Sequence, residues 1–279
     1  MHLAIRLEGA RLRWIRPIIG FLVLASAWTW GLLFVDGTVT GDLPFFRGAL
    51  KVLAGFGPSL AGLVTAFLTL GPVGCRSWLA KCFNYRVSWH WYVLTFLTPP
   101  ALMVVAVGLN IAFGGAQPSF LPVDKIPTAI LNFGLVLLVG GPFGEELGWR
   151  GYLTPALTSR INWRGASLFV GVVWGLWHLP FFYSAGTLQA GLAIPTFLVN
   201  ILAGSVLFGW LYQRTGPSMV PCLVLHTSLN AWAGMLAILP TETSWRPYVL
   251  VTGLLLIAVG GLLILPDSRV VTRPTHAGV

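Results

Sequence analysis

The stretch Ile130-Leu131-Asn132-Phe133-Gly134-Leu135-Val136-Leu137-Leu138-Val139-Gly140-Gly141-Pro142-Phe143-Gly144-Glu145-Glu146-Leu147-Gly148-Trp149-Arg150 decides how the chain is read. It begins as an apolar run suited to hydrocarbon, then breaks at Gly-Gly-Pro, then places two carboxylates and an arginine at membrane depth. The whole chain has only eight acidic residues. Ionisable groups at that depth are costly and mark functional sites by default. Gly140, Gly141 and Pro142 kink or restart a helix and free backbone groups. Irregular backbone within a membrane is tolerated mainly beside a protein-lined or wet cavity.

Composition sets the class around this stretch. Hydrophobic residues make up 56% of the chain and charged residues 9%, against about 25% charged in soluble domains. Mean hydropathy is +0.81. A span needs about 20 apolar residues, and that criterion predicts spans over Ile18 to Val35, Leu50 to Leu70, Tyr92 to Phe113, Ile126 to Phe143, Ala166 to Phe182, Ile194 to Tyr212, Met219 to Leu239 and Tyr248 to Leu265. The fold class is therefore all-α, a polytopic membrane helical bundle of about eight transmembrane helices. The first run follows Arg6, Arg11, Arg13 and Arg16 but has no small-residue cleavage site before Asp36, so it reads as a retained span. No repeat or long linker divides the chain, which reads as a single integral membrane domain over 1–279 with its motif-bearing core at about 126–239.

The net charge of +9 is unevenly spread. With a cytoplasmic N-terminus, the inner segments hold Arg6, Arg11, Arg13, Arg16, Arg76, Lys81, Arg86, Arg150, Arg160, Arg164, Arg214, Arg269 and Arg273, which is 13 of the 17 basic residues. Arg47, Lys51, Lys125 and Arg246 remain outside. The positive-inside rule then predicts both termini in the cytoplasm, an N-in/C-in arrangement. Membrane lipid, not nucleic acid, is the expected partner of this charge. Trp14, Trp78, Trp89, Trp91, Trp163 and Trp245 fall at predicted span ends, as an interfacial belt would. Cys75 and Cys82, in a predicted cytoplasmic loop, and Cys222 form no CxxC pair and read as reduced structural thiols. The Gly- and Pro-bearing connections Asp36 to Arg47 and Gly114 to Lys125 are predicted outside.

The polar residues inside the spans carry the chemistry. Glu146 and Arg150 are i,i+4 on a helix and are set to neutralise each other. Glu145 lies about 100° around the helix, free to face a cavity, which makes it the better candidate base. Arg160 to Gly165 is the turn between the fourth and fifth spans, and Glu145 and His178 sit roughly 20 Å to either side of it, at matching depth. His226 and Asn230 share a helix face beyond the turn at Arg214 to Gly216 and reach a similar layer.

Glu145-Glu146-xxx-Arg150, the aromatic-xxx-His pattern from Trp174 to His178 and His226-xxx-Asn230 together resemble the three motifs of the CAAX protease and bacteriocin-processing family, which includes the type II CAAX prenyl proteases. Phe56-Gly57-Pro58, His178-Leu179-Pro180-Phe181 and the Gly209 to Gly216 segment add to the likeness. It covers roughly Phe133 to Asn230. Trp174 stands where the family's second motif usually has Phe, a departure read as a change in cavity wall. The resemblance implies an intramembrane endopeptidase acting on a membrane-associated or prenylated, CAAX-like peptide or lipidated protein. Glu145 would activate water as general base, His178 would hold that water, and His226 and Asn230 would stabilise the oxyanion. Glu146, Arg150 and Trp174 would support them. No cofactor is required in this scheme. The alternative is zinc held by Glu145, His178 and His226 with a water in the fourth position, although no HExxH helix is present. A prokaryotic plasma membrane is the expected location. A non-catalytic immunity or scaffold protein and a proton-coupled carrier are the competing classes, the latter without a matching pair of broken helices.

Overall fold

A computed structural model describes residues 2–39, 41, 43–117, 126–236, 238–240 and 244–264, with side chains described from Trp14 onward and not at Ile126. Lys125, Arg269 and Arg273, and the side chains of Arg6, Arg11 and Arg13, lie outside the described residues, as does most of the Gly114 to Lys125 connection. The chain is built from α1 (His2–Thr38), α2 (Pro44–Gly55), α3 (Gly57–Cys82), α4 (Trp89–Ala112), α5 (Ile126–Val139), α6 (Pro142–Glu146), α7 (Thr154–Thr158), α8 (Trp163–Trp177), α9 (Ile194–Thr215), α10 (Val220–Met235) and α11 (Arg246–Ile264). A π-helical segment, Leu147–Leu153, joins α6 to α7, and a 3₁₀ turn, Leu179–Tyr183, follows α8.

Among the described residues, seven helical stretches are long and apolar enough to cross a membrane. The expected span over Met219 to Leu239 is α10, whose 16 residues fall short of that length. The bundle turns apolar side chains outward, as an integral membrane protein must: Phe34, Leu68, Val73, Ile130 and Ile257 are all more than two-thirds exposed. The fourth span is longer than expected. The path from Pro127 to Thr158 stays helical on both sides of a break at Gly140 and Gly141.

Two expected loops turn out differently. The predicted second span stops at Leu70, and Gly71 takes a left-handed conformation (φ 69°). The helix nevertheless resumes and runs to Cys82, so Cys75 and Cys82 are buried helical thiols and not loop residues. All three cysteines are free. The second difference lies between Asp36 and Arg47. Asp36 is in α1 and Arg47 in α2, and the two pair at 3.0 Å across a short connection. Of the expected belt tryptophans, Trp78 instead faces inward, its Nε1–H donating to the Gly151 carbonyl at 2.9 Å.

Small residues bring the helices together where the site is built, because lipid provides no hydrophobic drive between spans and close backbone approach must supply the contact. At the α2–α3 junction, Phe56-Gly57-Pro58 meets two neighbours at once. A Cβ on Gly57 would lie 2.7 Å from the Ala25 carbonyl of α1, one on Gly144 would lie 2.5 Å from the Gly55 carbonyl, and one on Gly148 would collide with the Pro58 carbonyl. Ser59 Oγ donates to the Phe143 carbonyl at 3.0 Å across the same seam. On the other side, Gly171 and Gly175 of α8 admit Leu202 and Leu198 of α9, and Ser205 Oγ donates to the Ser167 carbonyl at 2.8 Å. Further out, α10 is tied to α4 by Ser228 Oγ on the Phe96 carbonyl at 2.7 Å.

Candidate active site

The Gly-Gly-Pro break does what its sequence predicts. Helix α5 ends at Val139, Gly141 adopts φ 110°, and Pro142 opens α6. Only glycine suits that φ, and position 141 needs glycine twice over: a Cβ there would sit 2.8 Å from Glu145 Oε1. The break therefore clears the space in front of the Glu145 carboxylate. The π-helical turn that follows carries one extra residue per hydrogen-bonded ring, a feature common at functional sites. It is pinned by Thr154 Oγ1, which donates to the Trp149 carbonyl at 2.8 Å.

Glu145 and Glu146 diverge as their 100° separation requires. Glu146 is wholly buried, and its Oε1 accepts from Arg150 Nη1 at 2.9 Å and from His226 Nδ1 at 2.8 Å. The Arg150 guanidinium sits in the corner made by the near-perpendicular rings of Trp174 and Phe208, 4.2 and 4.0 Å from their centroids. Planarity and weak hydration suit arginine to that slot better than lysine. The result is a continuous chain from α6 through the π segment to α10.

Glu145 faces the other way, into a cavity of about 350 Å³ that His178, His226, Asn230 and Trp174 also line. Its Oε2 accepts from Trp174 Nε1 at 2.5 Å. Trp174 is thus more than a wall: its indole N–H holds the carboxylate, a contact phenylalanine lacks. Sequence reasoning missed it because a tryptophan and a phenylalanine present the same apolar face to a pattern.

The histidine tautomers follow from their partners. His178 closes α8, and its Nδ1 lies 2.8 Å from the Trp174 carbonyl. A carbonyl only accepts, so Nδ1 carries the proton and Nε2 is left as an acceptor. Trp177 and Phe197 fix the ring, with centroids 4.7 and 5.0 Å away. In His226, Nδ1 donates to the Glu146 carboxylate, leaving Nε2 as the nitrogen available to a ligand. Asn230, one turn further along α10, donates from Nδ2 to the Gly140 carbonyl at 3.2 Å. It ties α10 to the break, and its amide retains a second N–H.

Every residue singled out from the sequence thus belongs to one locus: Glu145, His178, His226 and Asn230 border the cavity, and Glu146 and Arg150 stand directly behind it. Among the described residues, no three His, Cys, Asp or Glu side chains are gathered to hold a metal ion.

Comparison with known proteins matches residues 127–232 to the family model described as type II CAAX prenyl endopeptidase, Rce1-like. That segment of the chain is similar to this family. A relative from Methanococcus maripaludis, CAAX prenyl protease 2, is 27% identical over 208 residues, covering 70% of this chain and 72% of the relative. The Rce1-like segment runs from the first turn of α5 through Trp232 of α10, so it contains the Gly-Gly-Pro break, the acidic pair and both histidines. The likeness supports a protease, and the seven long apolar helices support an integral membrane one.

Proposed function

We propose that the protein is an intramembrane endopeptidase that cleaves a membrane-associated, prenylated CAAX-like peptide, with Glu145 as general base. The observation that carries the reading is the Glu145 carboxylate itself, buried at the cavity wall, oriented by one indole N–H and facing the same space as His178. Glu145 takes a proton from water while the Nε2 lone pair of His178 accepts the second O–H and fixes the lone pair used for attack. The hydroxide adds to the scissile carbonyl carbon, and the carbonyl π electrons move to oxygen. His226, as imidazolium paired with Glu146, and the second N–H of Asn230 donate to that oxyanion. Collapse expels the amine, which takes the proton held by Glu145. The Glu146–Arg150 pair holds the His226 ring in place for this role.

Hydrolysis in this scheme is metal-independent, and the apolar remainder of the cavity, including Pro99, Met103, Val251 and Leu255, offers room for lipid. A prokaryotic plasma membrane is the setting we assign. The test is cleavage of a quenched fluorescent prenylated peptide in detergent. Glu145→Gln, with an unaltered folded fraction, is expected to lose a factor of roughly 10²–10⁴, the range of a general base. Wild-type turnover by that variant would remove Glu145 from the mechanism. Activity is expected to survive exhaustive chelation, and stoichiometric zinc lost together with activity would overturn the metal-independent scheme.

A further inference from the structure

The cavity holds one charged group that the hydrolytic step does not use. Lys51 lines it, and among the described lining residues it is the sole lysine or arginine. Its Nζ donates to the Ala185 carbonyl at 2.6 Å and stands 3.6 Å from Asp36 Oδ2. Asp36 is already engaged by Arg47 Nε at 3.0 Å and Ser184 Oγ at 2.8 Å. One carboxylate thus faces two cations, and the trio keeps a surplus positive charge at the cavity edge. A structural ion pair needs only one of those cations.

Two routes through the fold locate this charge relative to the water-activating pair. Lys51 is one helical turn, about 6 Å, from Gly55, and Gly55 is in backbone contact with Gly144, the neighbour of Glu145. On the opposite wall, Ala185 follows His178 across the 3₁₀ turn Leu179–Tyr183, whose rise of about 2 Å per residue covers roughly 10 Å. Both routes are backbone paths of roughly 10–15 Å, and they put Lys51 on the rim of the cavity that Glu145 and His178 share. Three extended residues span about the same length.

We propose that Lys51 is the subsite for the free C-terminal carboxylate of the substrate, three residues beyond the scissile bond. The assignment rests on the CAAX-like reading above, since a Cys-a-a-X sequence is by definition C-terminal and its cleavage after cysteine releases a tripeptide acid. The surplus charge provides the counter-ion, and a path of that length accommodates a few extended residues. A lysine on this wall therefore makes the enzyme measure from the chain end.

The experiment compares two prenylated peptides, one with a free C-terminus and one amidated, cleaved by wild type, Lys51→Gln and Lys51→Arg in nonionic detergent free of anionic lipid. Wild type is expected to show a KM about tenfold higher for the amide, the loss of one charge-assisted contact, with kcat little changed. Lys51→Gln, which retains a donor for the Ala185 carbonyl, is expected to treat the two peptides alike, and Lys51→Arg to restore the preference. Equal use of both peptides by wild type, or an equal loss on both in Lys51→Gln, overturns the subsite while leaving endopeptidase activity standing. Cleavage of neither peptide by wild type refutes the CAAX-like reading and this subsite with it.

Discussion

Arg150 offers the sharpest quantitative test, because its guanidinium pairs with a carboxylate that has no solvent exposure. Replacing it with methionine keeps much of the volume between the Trp174 and Phe208 rings but strands Glu146 as a buried charge. Breaking a buried pair by removing one partner costs about 3–5 kcal/mol. At roughly 2–4 °C per kcal/mol for a domain approaching this size, Arg150→Met is expected to melt about 6–20 °C below wild type in detergent. The double variant Glu146→Gln/Arg150→Met removes both charges, and since buried pairs recover little more than their desolvation cost, it is expected to regain most of that loss. Arg150→Lys should fall between, keeping charge without the flat stacking surface. Melting is followed by intrinsic tryptophan fluorescence and by retention of a monodisperse peak after heating. An Arg150→Met protein as stable as wild type, or a double variant no better than the single one, would refute the buried-pair argument and with it the means by which His226 is held.

Trp174→Phe removes one N–H and leaves the ring; loss of a hydrogen bond to a carboxylate, about 1.5–3 kcal/mol, predicts a kcat at least tenfold lower with KM little changed, and an unchanged kcat would reduce Trp174 to a wall. Gly148→Ala drives a methyl into the Pro58 carbonyl, and an overpacked backbone contact of this kind costs about 1–3 kcal/mol, so a lowered melting temperature and poorer yield are expected; a normal Tm would show that the α3 seam can open. The charge distribution puts the loop at Gln189–Gly191 on the outer face, and Ala190→Cys tests it: the three native thiols are buried, so an impermeant maleimide should label this cysteine in intact cells, whereas labelling only after permeabilisation would reverse the orientation and deliver substrate from the cytoplasm.

The convergence of Glu145, His178 and His226 is legible in the sequence because helix geometry converts residue number into depth. Two antiparallel helices joined at Ile161 and Asn162 have little choice about which residues face each other across the bilayer. Asn162 secures that joint by accepting from the Gly165 amide at 2.8 Å, and the depths follow. Direction around the helix is legible too, since Glu145 and Glu146 must diverge. What pattern does not encode is the identity of a tertiary neighbour. Asp36 and Arg47 read as the polar ends of a loop, yet they pair across α1 and α2, and with Lys51 they form a positive edge on the cavity. The second predicted span ends at Leu70, yet a single left-handed residue at Gly71 lets the helix continue to Cys82.

Trp174 shows the same limit at the level of one atom. Its ring is legible as cavity wall, and its N–H is not, because the hydrogen bond depends on a rotamer set by Arg150 beneath the ring and by Glu145 beyond its edge. That dependence links two predictions. If Arg150 both balances Glu146 and supports the Trp174 ring from below, Arg150→Met disturbs the base as well as His226. Its activity loss should then exceed that of Trp174→Phe even at temperatures where both proteins are fully folded. Equal losses would mean that the indole orientation is independent of the guanidinium, and that the two halves of the site, the base with its indole and the histidine with its buried pair, are assembled separately.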